Sequence, residues 1–285
     1  MAAILPRILR KPVLTNPDGI EWKRILKRRY YEPLYLTPIY YLTFLVMFFL
    51  EYLSCKISNI TIADSLAIKK YLIKRYNNKN IVFIAYGARY LTNAFDENTE
   101  KDINYLAHWN LKPNEYYLTV ARIVAENNID MEIKGFMKSN STKKIVIIGI
   151  PNKKDPYTKY LFKLKNNNDN ILLLNGIYDK EELGAIRKNC YAYIHGYEVG
   201  GTNPSLLEQM LYGKAIFAYD VSFNREVLSE GGIYFKNENQ LSSQIKMFEK
   251  GYINVNFGLM QKEKLEKIYN WKHVSDLYEK IFKIF

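Results

Sequence analysis

Residues 190–214 read CYAYIHGYEVGGTNPSLLEQMLYGK: a β-rich run ending at His195, a turn holding Gly200 and Gly201, and a segment that opens on Asn203, Pro204 and Ser205 and closes at Gly213. Proline in the first helical turn and glycine just past the last are the expected punctuation of a helix. Strand, glycine turn and helix in that order leave free backbone N–H groups at the mouth of the turn. The glycines let a ligand come close to the backbone, Thr202 or Asn203 can cap the helix, and the helix end carries partial positive charge suited to a diphosphate. Glu208, one turn further on, is placed to accept two hydrogen bonds from vicinal hydroxyls such as those of a ribose. The competing reading is an ordinary capped helix with an exposed glutamate.

The same grammar extends outward from this stretch. YYLTVA (116–121), KKIVIIGI (143–150), NILLLNGI (170–177), CYAYIH (190–195), AIFAYD (215–220) and GGIYF (231–235) are short β-rich runs separated by helical segments. One of these, DKEELGAIRK, opens on Asp179 as its N-cap. That alternation predicts a parallel α/β sheet and a whole Rossmann-like unit. Toward the front, PVLTN (12–16), NITIA (59–63) and IVFIAYG (81–87), with the helix SLAIKKYLIKRY (65–76), make half of one. After Phe235 the chain turns helical, and in WKHVSDLYEKIFKIF (271–285) Val274, Leu277, Tyr278 and Ile281 share a face suited to packing back on the front half. The expectation is therefore an α/β chain of two Rossmann-like domains, 1–112 incomplete and 113–270 complete.

With 48% hydrophobic and 25% charged residues in 285, a disordered or fibrous chain is excluded. The net charge of +12 favours an anionic partner: a nucleotide, a nucleic acid or an acidic membrane surface. The excess lies at the front, where residues 1–112 hold 17 basic and nine acidic residues. Arg7, Arg10, Lys11, Lys23, Arg24, Lys27, Arg28 and Arg29 face only Asp18 and Glu21 there, as on a phosphate-binding or membrane-facing surface, or on a plain solvated one. No recognised nucleic-acid motif accompanies them, so nucleic acid is not expected as a partner. Cys55 and Cys190, in apolar segments with no paired or zinc-ligand spacing, point to buried thiols in a reducing compartment. The opening MAAILPRILRKP is too short and charged for a secretory signal, which makes the cytoplasm the expected location. Residues 34–50, LYLTPIYYLTFLVMFFL, carry no charge over 17 positions. They admit three readings, a buried core helix, a helix in the membrane interface, and a spanning helix that Pro38 and three tyrosines weaken.

Beyond the glycine turn, Arg122 follows the first strand of the rear unit, where ligands of open α/β sheets lie, and its planar fork suits a phosphate. A surface arginine is the alternative. In LTNPDGIEWKR (14–24), Asp18 and Glu21 are placed to face an acceptor hydroxyl across a cleft, one of them as its base. Asp18 would otherwise cap the helix beginning near Gly19. His108, His195 and His273 form no triad, although His195 at a strand end can enter the cleft.

These residues resemble a family. HGYEVGGTNPSLLEQMLYGKAIFAYDVSFNREVL (195–228) looks like the donor-site signature of GT-B glycosyltransferases of family 4, in the rhamnosyltransferase-like branch of bacterial surface-polysaccharide biosynthesis. NPDGIEWKR (16–24), IADS (62–65), IAYGA (84–88) and ARIVAENNIDMEIKGF (121–136) are similar to the same branch in the same order. The resemblance implies metal-independent sugar transfer with retention, in a cleft between two Rossmann-like domains. The donor would be a nucleotide-diphosphate sugar, dTDP-rhamnose at branch level, and the acceptor a saccharide or lipid-linked saccharide at the inner face of the membrane. No cofactor is implied. Carried over by position, Glu208 would hold the ribose; Gly200, Gly201, Thr202 and Asn203 would line the diphosphate and sugar; Arg122 would neutralise the leaving diphosphate. Tyr178 would lie near the base, and Asp18 and Glu21 on the acceptor side.

The chain departs from the family pattern in four places. Gly200 stands where many relatives carry the first of two glutamates, Glu126 where a lysine often assists the phosphate arginine, and Asn16 to Asp18 where a histidine is common. Relatives also begin with a further stretch carrying the first strands and a glycine-rich loop. The short front half leaves two further expectations: a second polypeptide that completes it, or a non-catalytic nucleotide-binding remnant.

Overall fold

The computed structural model describes residues 4–17, 19–88, 100–253 and 255–285. The front half runs α1 (Ile4–Ile8), β1 (Leu14–Thr15), α2 (Glu21–Arg29), α3 (Thr37–Ile57), β2 (Ile60–Ala63), α4 (Leu66–Tyr76) and β3 (Ile81–Phe83). The rear half follows as α5 (Glu100–His108), β4 (Tyr116–Val120), α6 (Ile129–Ser139), β5 (Lys144–Ile148), α7 (Pro156–Lys165), β6 (Ile171–Leu174), α8 (Lys180–Asn189), β7 (Ala192–His195), α9 (Pro204–Met210), β8 (Ala215–Tyr219), α10 (Ser222–Leu228), β9 (Ile233–Phe235), α11 (Glu238–Glu249), α12 (Phe257–Lys267) and α13 (Trp271–Phe282).

Among the described residues two parallel sheets result, one of three strands in the order β1-β2-β3 and one of six in the order β6-β5-β4-β7-β8-β9. The central strands of the larger sheet are buried on both faces, which is why YYLTV and KIVII are apolar at most positions. One core lies on each face, with Tyr116, Leu118 and Tyr193 in one and Tyr117, Ile145 and Phe217 in the other. The helix starts are set by short polar side chains. Ser65 accepts from the Ile68 amide, Asp155 from Thr158, Asp179 from Glu181 and Glu182, and Asn270 from His273. The smaller sheet is covered on one side by α4 and the end of α3, through Cys55, Ile68 and Leu72. On its other side Val274 and Ile281 of α13 meet Ile62 and Ile84.

The segment read three ways in the sequence is a turn followed by α3, 21 residues long, of which only Glu51 and Cys55 are buried. A buried core helix is therefore excluded for it, and the two buried residues of α3 both lie in its last two turns.

Candidate functional site

The larger sheet starts at β4 and grows to β5 and β6, then crosses to β7 and grows the opposite way. The carboxyl ends of β4 and β7 thus flank a topological switch point, where open α/β sheets bind ligands. A cavity of about 310 Å3 opens there. Thr119, Val120 and Arg122 supply its β4 side, His195, Gly196 and Tyr197 its β7 side, and Asn203 and Ser205 the start of α9. Arg24 and Tyr86 close it from the front half, so the cavity lies between the two sheets.

Two guanidinium groups enter it from opposite sides. Arg122 is exposed in the loop after β4. Arg24 is buried, donates from Nη2 to the Tyr197 hydroxyl at 2.8 Å and from Nε to the Val199 carbonyl at 3.4 Å, and pairs with Glu21. The rest of α2 fastens the halves together: Lys27 pairs with Glu198 and donates to Asn128 at 2.8 Å, while Arg28 forms a fork with the fully buried Glu126. Glu126 therefore spends its charge on α2 and not on the cavity. On the other side of the seam, the amides of Leu66 and Ala67 at the start of α4 donate to Glu226 at 2.9 and 3.2 Å.

The cavity wall holds two buried titratable groups. Burial pushes the Glu132 carboxyl up to about 8 against the lowering influence of its bonds to Thr119 and Gly196. Thr119 Oγ1 donates toward Glu132 Oε2 at 2.7 Å and toward the Ile194 carbonyl at 3.0 Å, sharing its one hydrogen between them. The other oxygen of Glu132 accepts from the Gly196 amide at 2.7 Å, tying the end of β7 to α6. His195 is lowered to about 3, first by burial and then by the charge of Arg187, so it is neutral at physiological pH. Its buried Nε2 has no hydrogen-bond partner among the described residues, which leaves a polar atom for a bound molecule.

The sequence-marked residues divide into three groups. Arg122, His195, Thr202 and Asn203 line the cavity. Asn203 caps α9, accepting from the Ser205 amide at 2.9 Å. Gly200 and Gly201 lie in the seam instead: a Cβ on Gly201 would sit 1.9 Å from Asp64 Oδ1, and one on Gly200, at φ +153°, 2.0 Å from the Tyr197 hydroxyl. They permit close approach of the two halves, not only of a ligand. Glu208 faces a neighbouring cavity of about 140 Å3 beside Lys180, Leu183 and Tyr212. It is held there by buried Arg187, whose Nη2 is 3.1 Å from Glu208 and 2.9 Å from Ser205 Oγ. Ser205 thereby joins the two cavities. Tyr178 is exposed in the loop after β6, away from the cavity walls. Glu21 is tied to Arg24, and Asp18 lies outside the described residues; the α2 N-cap is Ile20, without a side-chain cap. The sequence marks Arg24 only as one member of the basic front, and Glu132, Arg187 and Tyr197 not at all. A basic run such as KRILKRR gives no sign of which member turns inward, and Glu132 and Arg187 sit in helices whose other charged residues are partly or fully exposed.

Two parallel α/β sheets that meet over a cleft, with the polar groups at a switch point, define a GT-B-type fold. The family model for glycosyl transferases group 1 matches residues 102–257, more than half of the sequence, and the chain belongs to that family. An uncharacterized glycosyltransferase of Methanocaldococcus jannaschii is 27% identical over 241 residues, 80% of this chain and 59% of that protein. The chain thus spans about three fifths of that relative. Anabaena HepE in complex with UDP and glucose superposes with a TM-score of 0.73 at 14% identity, over 99% of this chain and 74% of that one. A glycosyltransferase from Rickettsia africae gives 0.70 at 14% identity, over 99% and 79%. Sucrose-phosphate synthase from Thermosynechococcus elongatus gives 0.70 at 16%, over 85% and 62%. At these identities the three structures support the fold.

Proposed function

We propose that the protein is a retaining, metal-independent glycosyltransferase that moves a sugar from a nucleoside-diphosphate donor to a saccharide or lipid-linked saccharide acceptor at the inner face of the cytoplasmic membrane. Rhamnose carried on dTDP is the first choice of donor, on the likeness of residues 195–228 to the rhamnosyltransferase-like branch. One observation carries the reading: Arg122 and Arg24 converge from the two halves on one cavity at the switch point. As a donor leaves, its diphosphate gains charge, and guanidinium groups fixed around it lower the barrier without a proton transfer of their own. In this reading Arg24 takes the place of the lysine that Glu126 displaces. Glu208, oriented by Arg187, holds the ribose in the adjoining cavity; the Nε2 of neutral His195 meets a sugar hydroxyl, and Tyr178 covers the base. The loop 200–203 closes over the sugar, and Asp18 and Glu21 orient the acceptor.

The test is donor turnover followed by NMR with dTDP-rhamnose, UDP-glucose and GDP-mannose in the presence of a saccharide acceptor. A product of unchanged anomeric configuration, formed with EDTA present and lost in Arg122→Ala, is expected. A second reading, a nucleotide-binding subunit that needs another polypeptide to complete its acceptor half, is favoured by the three-stranded front sheet with its two-residue edge strand β1. In that case nucleotide binds but no sugar is transferred until the partner is added.

A further inference from the structure

We propose that the outward face of α3 rests on an anionic lipid bilayer, docking the protein as a monotopic membrane protein. Residues 34–57 are long and apolar enough to cross a membrane, yet 6% of their most apolar window is buried. The inner side of the helix is spoken for: Trp22 of α2 packs edge-on against Phe44 and Phe48, and Glu51 accepts from the hydroxyls of Tyr71 and Tyr76. The outer side is a continuous stripe at helical spacing, Ile39, Leu42, Leu45, Val46 and Phe49, with exposures of 46–64%.

The surroundings of the stripe select its occupant. Glu51 is the one carboxylate in residues 33–58, and it is turned inward and buried. Cations border the helix along its length: Arg29 lies over Tyr41 at 5.4 Å, Arg75 over Phe48 at 4.1 Å, and Lys56 beside Tyr52 at 6.0 Å. Tyr35, Tyr41 and Tyr52 are exposed. An apolar strip edged by cations and tyrosines is the pattern of an interfacial helix on acidic headgroups. The stripe runs from Ile39 to Phe49, about 15 Å of helix, ahead of the turns that carry the buried Glu51 and Cys55. A second copy of the chain would set the same cations against one another. Spanning would pull Glu51 from its two tyrosines into hydrocarbon and strip α3 from Trp22. Docking by α3 would hold the cleft beside a lipid-linked acceptor, a consequence that rests on the proposed function, although the lipid binding itself does not.

Vesicle flotation tests this with the full chain, on phosphatidylcholine alone and with added phosphatidylglycerol, at low and high salt. Expected is binding to the anionic vesicles, weakened by salt, and reduced about tenfold or more in Leu42→Glu/Phe49→Glu. The same variant should keep its melting temperature and its nucleotide-induced thermal shift. A second probe covers misfolding of that variant: Leu45→Cys carrying an environment-sensitive dye should shift to the blue on anionic vesicles. No binding by the wild type, or undiminished binding by a folded double variant, would overturn the proposal. So would a wild-type dimer in light scattering that the double variant converts to monomer, since that assigns the face to a second copy. A failed donor assay with intact, stripe-dependent vesicle binding would sink the enzymatic reading and leave this one standing.

Discussion

Glu132→Gln is expected to stabilise the protein, by an amount that depends on pH. The native carboxyl titrates near 8 and is held neutral by burial, whereas an unfolded glutamate ionises near 4.5. Because the folded value is raised, this group's contribution to stability is fully present below about pH 4.5 and is lost as pH rises to about 8, where the loss ends. At about 1.36 kcal/mol per unit, holding the proton costs the fold about 3 kcal/mol at pH 7 and about 5 kcal/mol above pH 8. Glutamine is neutral at every pH and fits the same three contacts. Its amide donates to Thr119 Oγ1, which donates to the Ile194 carbonyl, and its oxygen accepts from Gly196. Urea unfolding of both proteins between pH 4 and 9, followed by tryptophan fluorescence, should show equal stability at pH 4 and a gap of about 3 kcal/mol in favour of Gln at pH 7. A gap that does not change with pH, or a Gln variant less stable at pH 7, would refute the assignment of a neutral acid at the cavity wall.

Other expectations concern the seam and the cavity. Gly201→Ala drives a Cβ to 1.9 Å from the Asp64 carboxylate and should cost about 2–3 kcal/mol while raising proteolysis between the halves. Arg28→Ala leaves the buried Glu126 without its guanidinium; a loss of about 2–3 kcal/mol is expected in thermal unfolding, relieved in the double variant with Glu126→Gln. The folded value of His195 is lowered toward 3, so its share of stability is present above about pH 6.5 and lost as pH falls. His195→Phe should flatten that acid limb in a pH series of melting temperatures, and should weaken donor binding at pH 7 because Nε2 is gone. Arg187→Met should leave Glu208 unsupported and raise the dissociation constant of a nucleoside diphosphate about tenfold, with less effect on inorganic diphosphate.

The larger sheet was legible because parallel strands buried on both faces are largely apolar, and all six runs from YYLTVA to GGIYF became strands in one sheet. The helix punctuation was equally local: Asp179 and Asn203 cap the helices they precede. The apolar face of 271–285 was legible too, since Val274 and Ile281 are its buried members. What could not be read is what depends on the meeting of distant segments. Arg24 enters the cavity only because α2 lies against the loops after β4 and β7, 173 residues away in the case of Tyr197. The glycines of the 200–201 turn pack against Gly19 and Asp64 for the same reason. Residues 34–50 resisted because composition alone does not separate a core helix from one whose apolar face is left outside.

Calorimetric titration of the wild type and of Arg122→Ala and Arg24→Gln with dTDP, UDP and GDP tests most directly whether the cavity between the sheets is a donor site. One nucleotide binding at one site, weakened about tenfold or more in each arginine variant while both remain folded, is the expected result. Binding that ignores both arginines, or no binding to any nucleoside diphosphate by a cooperatively folded wild type, would contradict it.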